Sequence, residues 1–165
     1  MKHFTIVFFI LFSQAFYSFQ LHDMEYHGKV VKIMDGDTFE LLLEDLTTLK
    51  VRLNGIDAPE KGMDYSKVSK YYLGKLVFNK EVKVIKKSQD RYGRTIGDVY
   101  VDDLYINAEM IKTGMAWHYK KYSKNQDLAD FETLARKNKI GLWGLQNPIE
   151  PWEYRKNQRL KDTTP

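Results

Sequence analysis

The sequence predicts a mainly β, α+β fold on three observations: five short runs of strand character, turn chemistry between the first three, and an amphipathic helical segment between the third and fourth. The first run, Lys29 to Met34, leads into Asp35-Gly36-Asp37, where Asp-Gly favours a tight reversal. Phe39 to Glu44 and Leu49 to Asn54 follow, separated by Asp45-Leu46-Thr47-Thr48. Strands joined this locally form a meander. Glu81 to Ser88 and Ile96 to Val101 supply the fourth and fifth, connected by Gln89-Asp90-Arg91-Tyr92-Gly93-Arg94.

Helical spacing marks three further segments. Val68, Tyr72, Leu73, Leu76 and Val77 fall on one face of a helix that Ser66 is suited to start. A short second helix is expected with Asn107 as N-cap, Ile106 and Ile111 placed as a hydrophobic staple, and Gly114 as stop. The third runs from Asp127 to Asn138, with Leu128, Phe131, Leu134 and Ala135 inward and Gly141 beyond its end. Five short strands with a helix after the third predict a five-stranded OB-fold barrel with three helices, occupying residues 25–154. Residues 155–165 are polar and are expected to fray as a tail. There is no internal repeat and no low-complexity linker.

Composition narrows the chemistry. A chain of 165 residues, 43% of them hydrophobic, can enclose one core. The formal net charge of +4 favours anionic partners. Cysteine is absent, which excludes a disulfide framework, a thiolate metal site and a cysteine nucleophile. Of the histidines, His3, His22 and His27 lie near the N-terminus and His118 stands alone, a poor basis for a zinc centre. Any metal is expected to be hard and oxygen-bound.

Residues 1–18 differ from the rest: Lys2 precedes an apolar run from Phe4 to Phe12, and Ser13 and Ala15 occupy small-residue positions. This is the pattern of a secretory signal peptide with cleavage after Ala15, or less regularly at Ser18. The expected destination is outside the cell, the periplasm or the envelope. The alternative is an uncleaved anchor, because Phe16, Tyr17, Phe19 and Leu21 extend the apolar character. Membrane contact is expected only in that case.

Two carboxylate-rich segments sit at predicted strand ends, Asp35-Gly36-Asp37-Thr38 and Ile56-Asp57-Ala58-Pro59-Glu60. An oxygen-only set of this kind suits Ca²⁺ or Mg²⁺. Taken singly, each also reads as turn punctuation. Arg52 alternates with Val51 and Leu53, so it projects from the face opposite to theirs, and Arg94 closes the Asp90 to Arg94 connection. Guanidinium groups at such positions suit phosphate oxygens.

Asp35-Gly36-Asp37-Thr38, Val51-Arg52-Leu53, Asp57-Ala58-Pro59-Glu60, Asp90-Arg91-Tyr92-Gly93-Arg94 and Gly141-Leu142-Trp143 stand in the order characteristic of the staphylococcal nuclease (thermonuclease) family, which the chain resembles over about residues 28–145. Each motif is weak; the ordered set is specific. The resemblance implies a Ca²⁺-dependent endonuclease acting on DNA and RNA and leaving 3′-phosphate ends. It implies Asp37, Asp57 and the Ala58 carbonyl as metal ligands, with Asp35 behind them. Glu60 would orient or deprotonate the attacking water, and Arg52 and Arg94 would bind the phosphate. Ala58 replaces a threonine, and the loop from Lys61 to Lys67 is shorter than in the best-known member.

Tyr92, Tyr119 and Tyr122 are candidate base-stacking residues, among His118, Lys120 and Lys121. Trp117 is expected in the core, and Trp143 and Trp152 are expected to pack the C-terminal segment onto the barrel. No obligate protein partner is implied, and a monomer is expected. The competing class is a noncatalytic nucleic-acid-binding OB module; the joint presence of Asp37, Arg52, Glu60 and Arg94 favours an enzyme. Preference between DNA and RNA is not encoded by phosphate clamps and stacking faces.

Overall fold

The computed structural model describes residues 24–162, so the expected signal peptide and its cleavage site lie outside the described residues. The strands are β1 (Glu25–Ile33), β2 (Thr38–Leu43), β3 (Thr48–Leu53), β4 (Ile56–Asp57), β5 (Glu81–Gln89), β6 (Thr95–Val101), β7 (Leu104–Tyr105) and β8 (Trp117–His118). Antiparallel pairing runs β3-β2-β1-β5-β6, and a parallel pairing of β3 with β6 closes the barrel. The long strands are therefore the five that the sequence predicts. β1 and β5 each carry a register shift, at Val30/Lys32 and Lys86/Ser88, which lets a long strand bend around a small barrel.

Alternation sets the inside of the barrel. Val30, Phe39, Leu41, Val51, Val84 and Val99 are fully buried and form the core with residues from the helices. Each such side chain contributes about 1.5–3 kcal/mol relative to exposure. Arg52 sits between buried Val51 and Leu53 and points out of the barrel wall, as the alternation predicts.

The helices are α1 (Ser66–Val77), α2 (Ile106–Lys112), α3 (Gln126–Lys137) and α4 (Pro151–Asp162), with a 3₁₀ turn over Gly141–Gly144. Leu73 and Val77 of α1 are fully buried, whereas Val68 is 47% exposed and belongs to the outer face. Ser69 takes an inward position instead. In α3, Leu134 is 57% exposed, contrary to the predicted apolar stripe, and the buried position goes to Glu132. That carboxylate is compensated by Lys120 and Arg136 and accepts a hydrogen bond from the His118 backbone N–H.

Two expectations are corrected by tertiary structure. Asn107 is not an N-cap: it lies inside α2, fully buried, and Tyr105 precedes the helix. Its amide oxygen accepts from Val99 N–H (3.0 Å), and its Nδ2 donates to the carbonyls of Asn54 (2.9 Å) and Gly97 (3.2 Å). The side chain thus ties α2 to the end of β3 and to β6. A fourth helix also replaces the fraying tail from Arg155 onward; Pro151 at its first position and Glu153 in its first turn are normal start signals. Among the described residues, no helix is long and apolar enough to cross a membrane.

Replacing Asn107 by Ala is expected to destabilise the domain by roughly 2–4 kcal/mol, because buried backbone groups on two elements lose their partner. Equilibrium urea unfolding measures this; a change below about 0.5 kcal/mol would show that the bracket is dispensable.

Candidate active site

An open cleft of about 720 Å³ runs along one side of the barrel and is lined by Asp35, Asp37, Arg52, Ala58, Glu60, Arg94, Tyr119, Tyr122 and Arg155, among others. The fold gathers these from four places. Asp35 and Asp37 lie in the turn between β1 and β2, Arg52 on β3, Asp57 and Glu60 on and just after β4, and Arg94 at the end of the β5–β6 turn. Gly36 is required in that first turn by close approach: a Cβ there would lie 2.0 Å from Ser69 Oγ and 2.8 Å from the Ala58 methyl. The turn is pressed against α1 and the Ala58 segment, which sets Asp37 beside Asp57.

Arg52 joins the two aspartates. Its Nη1 donates to Asp37 Oδ1 at 2.6 Å and its Nη2 to Asp57 Oδ1 at 2.7 Å. Asp37 is 3% exposed and Asp57 fully buried, so neither charge has appreciable access to water. Burial opposes ionisation of Asp37, but the Arg52 charge and hydrogen bonds from the Ala58 N–H and the Thr38 hydroxyl hold it below the usual carboxylate range. Burial lifts Asp57 above that range, against hydrogen bonding from Arg155. Burial also opposes the Arg52 charge, yet Asp37 and then Asp57 raise its pKa. Asp35 lies at the rim, but its carboxyl turns back to accept from the Asp37 N–H (3.0 Å). Loss of water around that carboxyl, and then the charge of Asp37, push it up to about 7.

Arg94 is held differently. Asp90 opens the β5–β6 turn, its Oδ1 accepting from the Tyr92 and Arg94 backbone N–H groups (2.9 and 3.0 Å) and its Oδ2 from Arg94 Nε (2.8 Å). Arg94 Nη1 is then 3.4 Å from the Thr38 hydroxyl, at the edge of the cleft. Partial burial works against the Asp90 charge, but the bonds from Arg94 and Tyr92 outweigh it and leave the carboxyl below its ordinary value. Asp90 was legible in the sequence as part of the Asp90 to Arg94 motif, without a role of its own in the site, although Asp at the first position of a turn is a recognised signal.

The larger omission is Arg155 on α4. Its Nη2 donates to Asp57 Oδ2 at 2.7 Å, and its Nη1 donates to Asp57 Oδ1 at 3.1 Å and to Glu60 Oε1. Nothing in the local sequence indicates that a residue of a polar C-terminal stretch returns to the cleft. Trp152, packed face to face on Tyr119 with centroids 4.9 Å apart and planes 5° from parallel, brings the helix there. Trp152 therefore packs the C-terminal segment as expected, and Trp117 and Trp143 meet edge to face in the same cluster.

The candidate stacking residues separate. Tyr119 has one ring face covered by Trp152 and an edge contact from Tyr122. Tyr122 and Tyr92 are exposed at the cleft, with Arg94 5.8 Å from the Tyr92 ring centre. His118 is buried and its pKa is lowered by burial, so it takes no part in the cleft.

The residues match the family model described as staphylococcal nuclease homologue over positions 50–144. The chain belongs to the staphylococcal nuclease family. Among relatives of this family, the chain is 44% identical over 132 residues to a Haemophilus influenzae protein named an uncharacterized endonuclease, covering 80% of this chain and 74% of that one. It is 41% identical over 143 residues to a micrococcal nuclease of Shigella flexneri, covering 80% of this chain and 82% of the relative. A staphylococcal-like nuclease of Arabidopsis thaliana is 46% identical over 110 residues; the match takes in 67% of this chain and 34% of the longer plant protein. The family match contains Arg52, Asp57, Glu60 and Arg94. Asp35, Asp37 and Arg155 fall outside it.

Among the described residues, no three acidic or histidine side chains converge into a ready-made metal cage. The donor set still fits a hard divalent cation: Asp37, Asp57 and Glu60 pair with the guanidinium groups of Arg52 and Arg155, Asp35 lies beside Asp37, and Arg94 is matched by Asp90. All the donors are oxygens, as a hard cation requires.

Asp90→Asn is expected to lower turnover about tenfold by loosening Arg94. A folded carboxyl with a depressed pKa stabilises fully above its unfolded value near 4, and that contribution is lost as pH falls through the lower folded value. The stability difference between wild type and Asp90→Asn should therefore be constant near neutrality and shrink in acid, as read by thermal melts from pH 7 to pH 2. A difference that grows in acid would contradict the assignment.

Proposed function

We propose that this protein is a Ca²⁺-dependent endonuclease that hydrolyses phosphodiester bonds of DNA and RNA. The observation that carries the reading is the convergence on one cleft of buried carboxylates, the more exposed Glu60, and Arg52 and Arg94 at separate points. Family membership and the names its relatives carry support the same class of reaction.

A phosphodiester resists hydrolysis because its charge repels nucleophiles, so the site must neutralise charge, activate water and stabilise the transition state. Asp37 and Asp57, with the Ala58 carbonyl, would hold the ion, with Asp35 behind them. Bound there, Ca²⁺ would supply Lewis-acid neutralisation of a phosphoryl oxygen and a template for water. Glu60, 37% exposed at its side chain, is accessible enough to take the proton from the attacking water. Arg52 is fixed by its two aspartates, and its planar fork has more donors than they use, so it can bind a phosphate oxygen without moving. Arg94 approaches from the β5–β6 turn and would take up charge that develops on the equatorial oxygens. Water adds at phosphorus in line with the 5′-oxygen as Glu60 takes its proton, the P–O5′ bond breaks while the departing oxygen gains a proton from solvent, and the products carry 3′-phosphate and 5′-hydroxyl ends. Tyr92 and Tyr122 offer exposed ring faces to the flanking bases.

Export belongs to the same proposal. Residues 1–18 have the composition of a cleaved leader, and intact-mass measurement of the protein from its native host should give a chain that begins after Ala15. A mass that retains Lys2 and the apolar run would instead favour an anchored protein.

Digestion of plasmid and of RNA, with Ca²⁺ or with a chelator, tests the activity. Cleavage should require the ion. Glu60→Gln should lose turnover by roughly 10² or more with an unchanged circular dichroism spectrum, and Arg94→Ala about 10² to 10³, against no loss for the surface change Lys124→Ala. Nucleic-acid binding without cleavage under all these conditions would overturn the enzymatic reading.

A further inference from the structure

We propose that Arg155 is the positioning residue for Glu60, so that the C-terminal helix completes the active centre. The inference rests on the reading of Glu60 as general base. Glu60 lies in the loop between β4 and α1, and its backbone contacts stay within that loop: its carbonyl accepts from the Met63 N–H at 2.9 Å and its N–H meets Met63 Sδ, a weak acceptor, at 3.2 Å, so neither orients the side chain. Its side chain is half exposed. Among the described residues, the hydrogen bond from Arg155 Nη1 to Oε1 is the contact that fixes the carboxylate.

Arg155 is a stiff reference point because its guanidinium is also anchored on Asp57 through both nitrogens, at 2.7 and 3.1 Å. Asp57 is fully buried in β4 and paired with β8, so it has no freedom to follow a moving loop. The planar fork transfers that fixed position to Glu60. Oε1 is engaged while Oε2 has no hydrogen-bond partner among the described residues, which is the state a carboxylate needs to accept a proton from water.

The helix is itself held beside the loop. Pro151 is buried, Trp152 stacks on Tyr119, and the Tyr154 hydroxyl lies over Gly62, where a Cβ would approach it to 2.8 Å. α4 thus contacts the loop at Glu60 and Gly62 while resting on the barrel through Trp152. A helix serving only to cover the core would not need its arginine on a half-exposed carboxylate of the cleft.

The test is a double-mutant cycle with the full-length mature protein and a fluorescent oligonucleotide, in saturating Ca²⁺. Arg155→Ala is expected to lower kcat about 10²-fold with KM within about threefold, since a misplaced catalytic group costs this much. Arg155→Lys should recover part of the loss, because it restores a donor but not the fork. In the Glu60→Gln background, Arg155→Ala should have no further effect, as expected of two residues that act through one contact. Lys156→Ala, on the exposed side of the same helix, should match wild type. Calorimetric Ca²⁺ titration without substrate gives a readout apart from activity: affinity in Arg155→Ala should stay within about threefold or tighten, as a competing cation leaves Asp57.

Equal losses from Arg155→Ala in the Glu60 and Glu60→Gln backgrounds would overturn the inference and leave the general-base reading standing. So would a raised KM at unchanged kcat, or a tenfold weaker Ca²⁺ affinity. Wild-type turnover in Glu60→Gln alone would remove the general base and the inference with it. Should Arg155→Ala fail to fold, the Lys variant carries the same cycle.

Discussion

Asp57 is fully buried, and both of its oxygens contact guanidinium groups that arrive from opposite ends of the chain, Arg52 from the barrel wall and Arg155 from the last helix. A buried carboxylate is costly unless it is paired, and removing one partner from a buried pair typically costs about 3–5 kcal/mol. The pairing is therefore a strong constraint on everything it joins. β3 must present Arg52 outward at the level of β4, β4 must stay paired with β8, and α4 must return to the barrel. Asp37 enters the same set through Arg52, which fixes the β1–β2 turn.

Barrel closure makes this meeting possible. Parallel pairing of β3 with β6 places Arg52 opposite Ile96 and brings Arg94 within reach of Thr38, although Arg94 and Thr38 are 56 residues apart. An open meander would leave the β5–β6 turn far from the carboxylates. The closing edge is braced from within by Asn107, whose amide satisfies backbone groups at the ends of β3 and β6 together. The polar network thus supports the cleft from its core side, while burial of Val51, Leu53 and Val99 holds the strands themselves.

The strand segments were legible in the sequence because alternation and turn residues are local signals, and most of the cleft residues were picked out by the ordered motifs of the family resemblance. Arg52 between Val51 and Leu53 has one outward option in a strand, and the structure takes it. What was not legible depends on distant partners. Val68 and Leu134 satisfy helical periodicity but lie beyond the edges of the contacts that α1 and α3 make, so their faces meet water. Asn107 resembles a cap because capping and core bracketing use the same amide chemistry; only the neighbouring carbonyls decide between them. The α4 segment is polar on average, and its docking depends on Pro151 and Trp152, with the surface that receives Trp152 built by Tyr119 more than thirty residues earlier. Arg155 follows from that docking and from no signal of its own.

The groups of the cleft differ in how firmly they are held, and the difference tracks their proposed work. Asp37, Asp57 and Arg52 are buried and cross-linked, which suits groups that must define a geometry and not change it. Arg94 is tethered by one carboxylate on an exposed turn, and Glu60 by one guanidinium on a loop. These two are accessible to a substrate and have neighbours that limit their motion, as loop-borne functional residues on a rigid scaffold require. Each also has an opposite charge at hand, so it can be exposed at the cleft without drifting from its place. Freedom to react and constraint of position are supplied by separate residues: Glu60 and Arg94 face the cleft, while Arg155 and Asp90 hold them there.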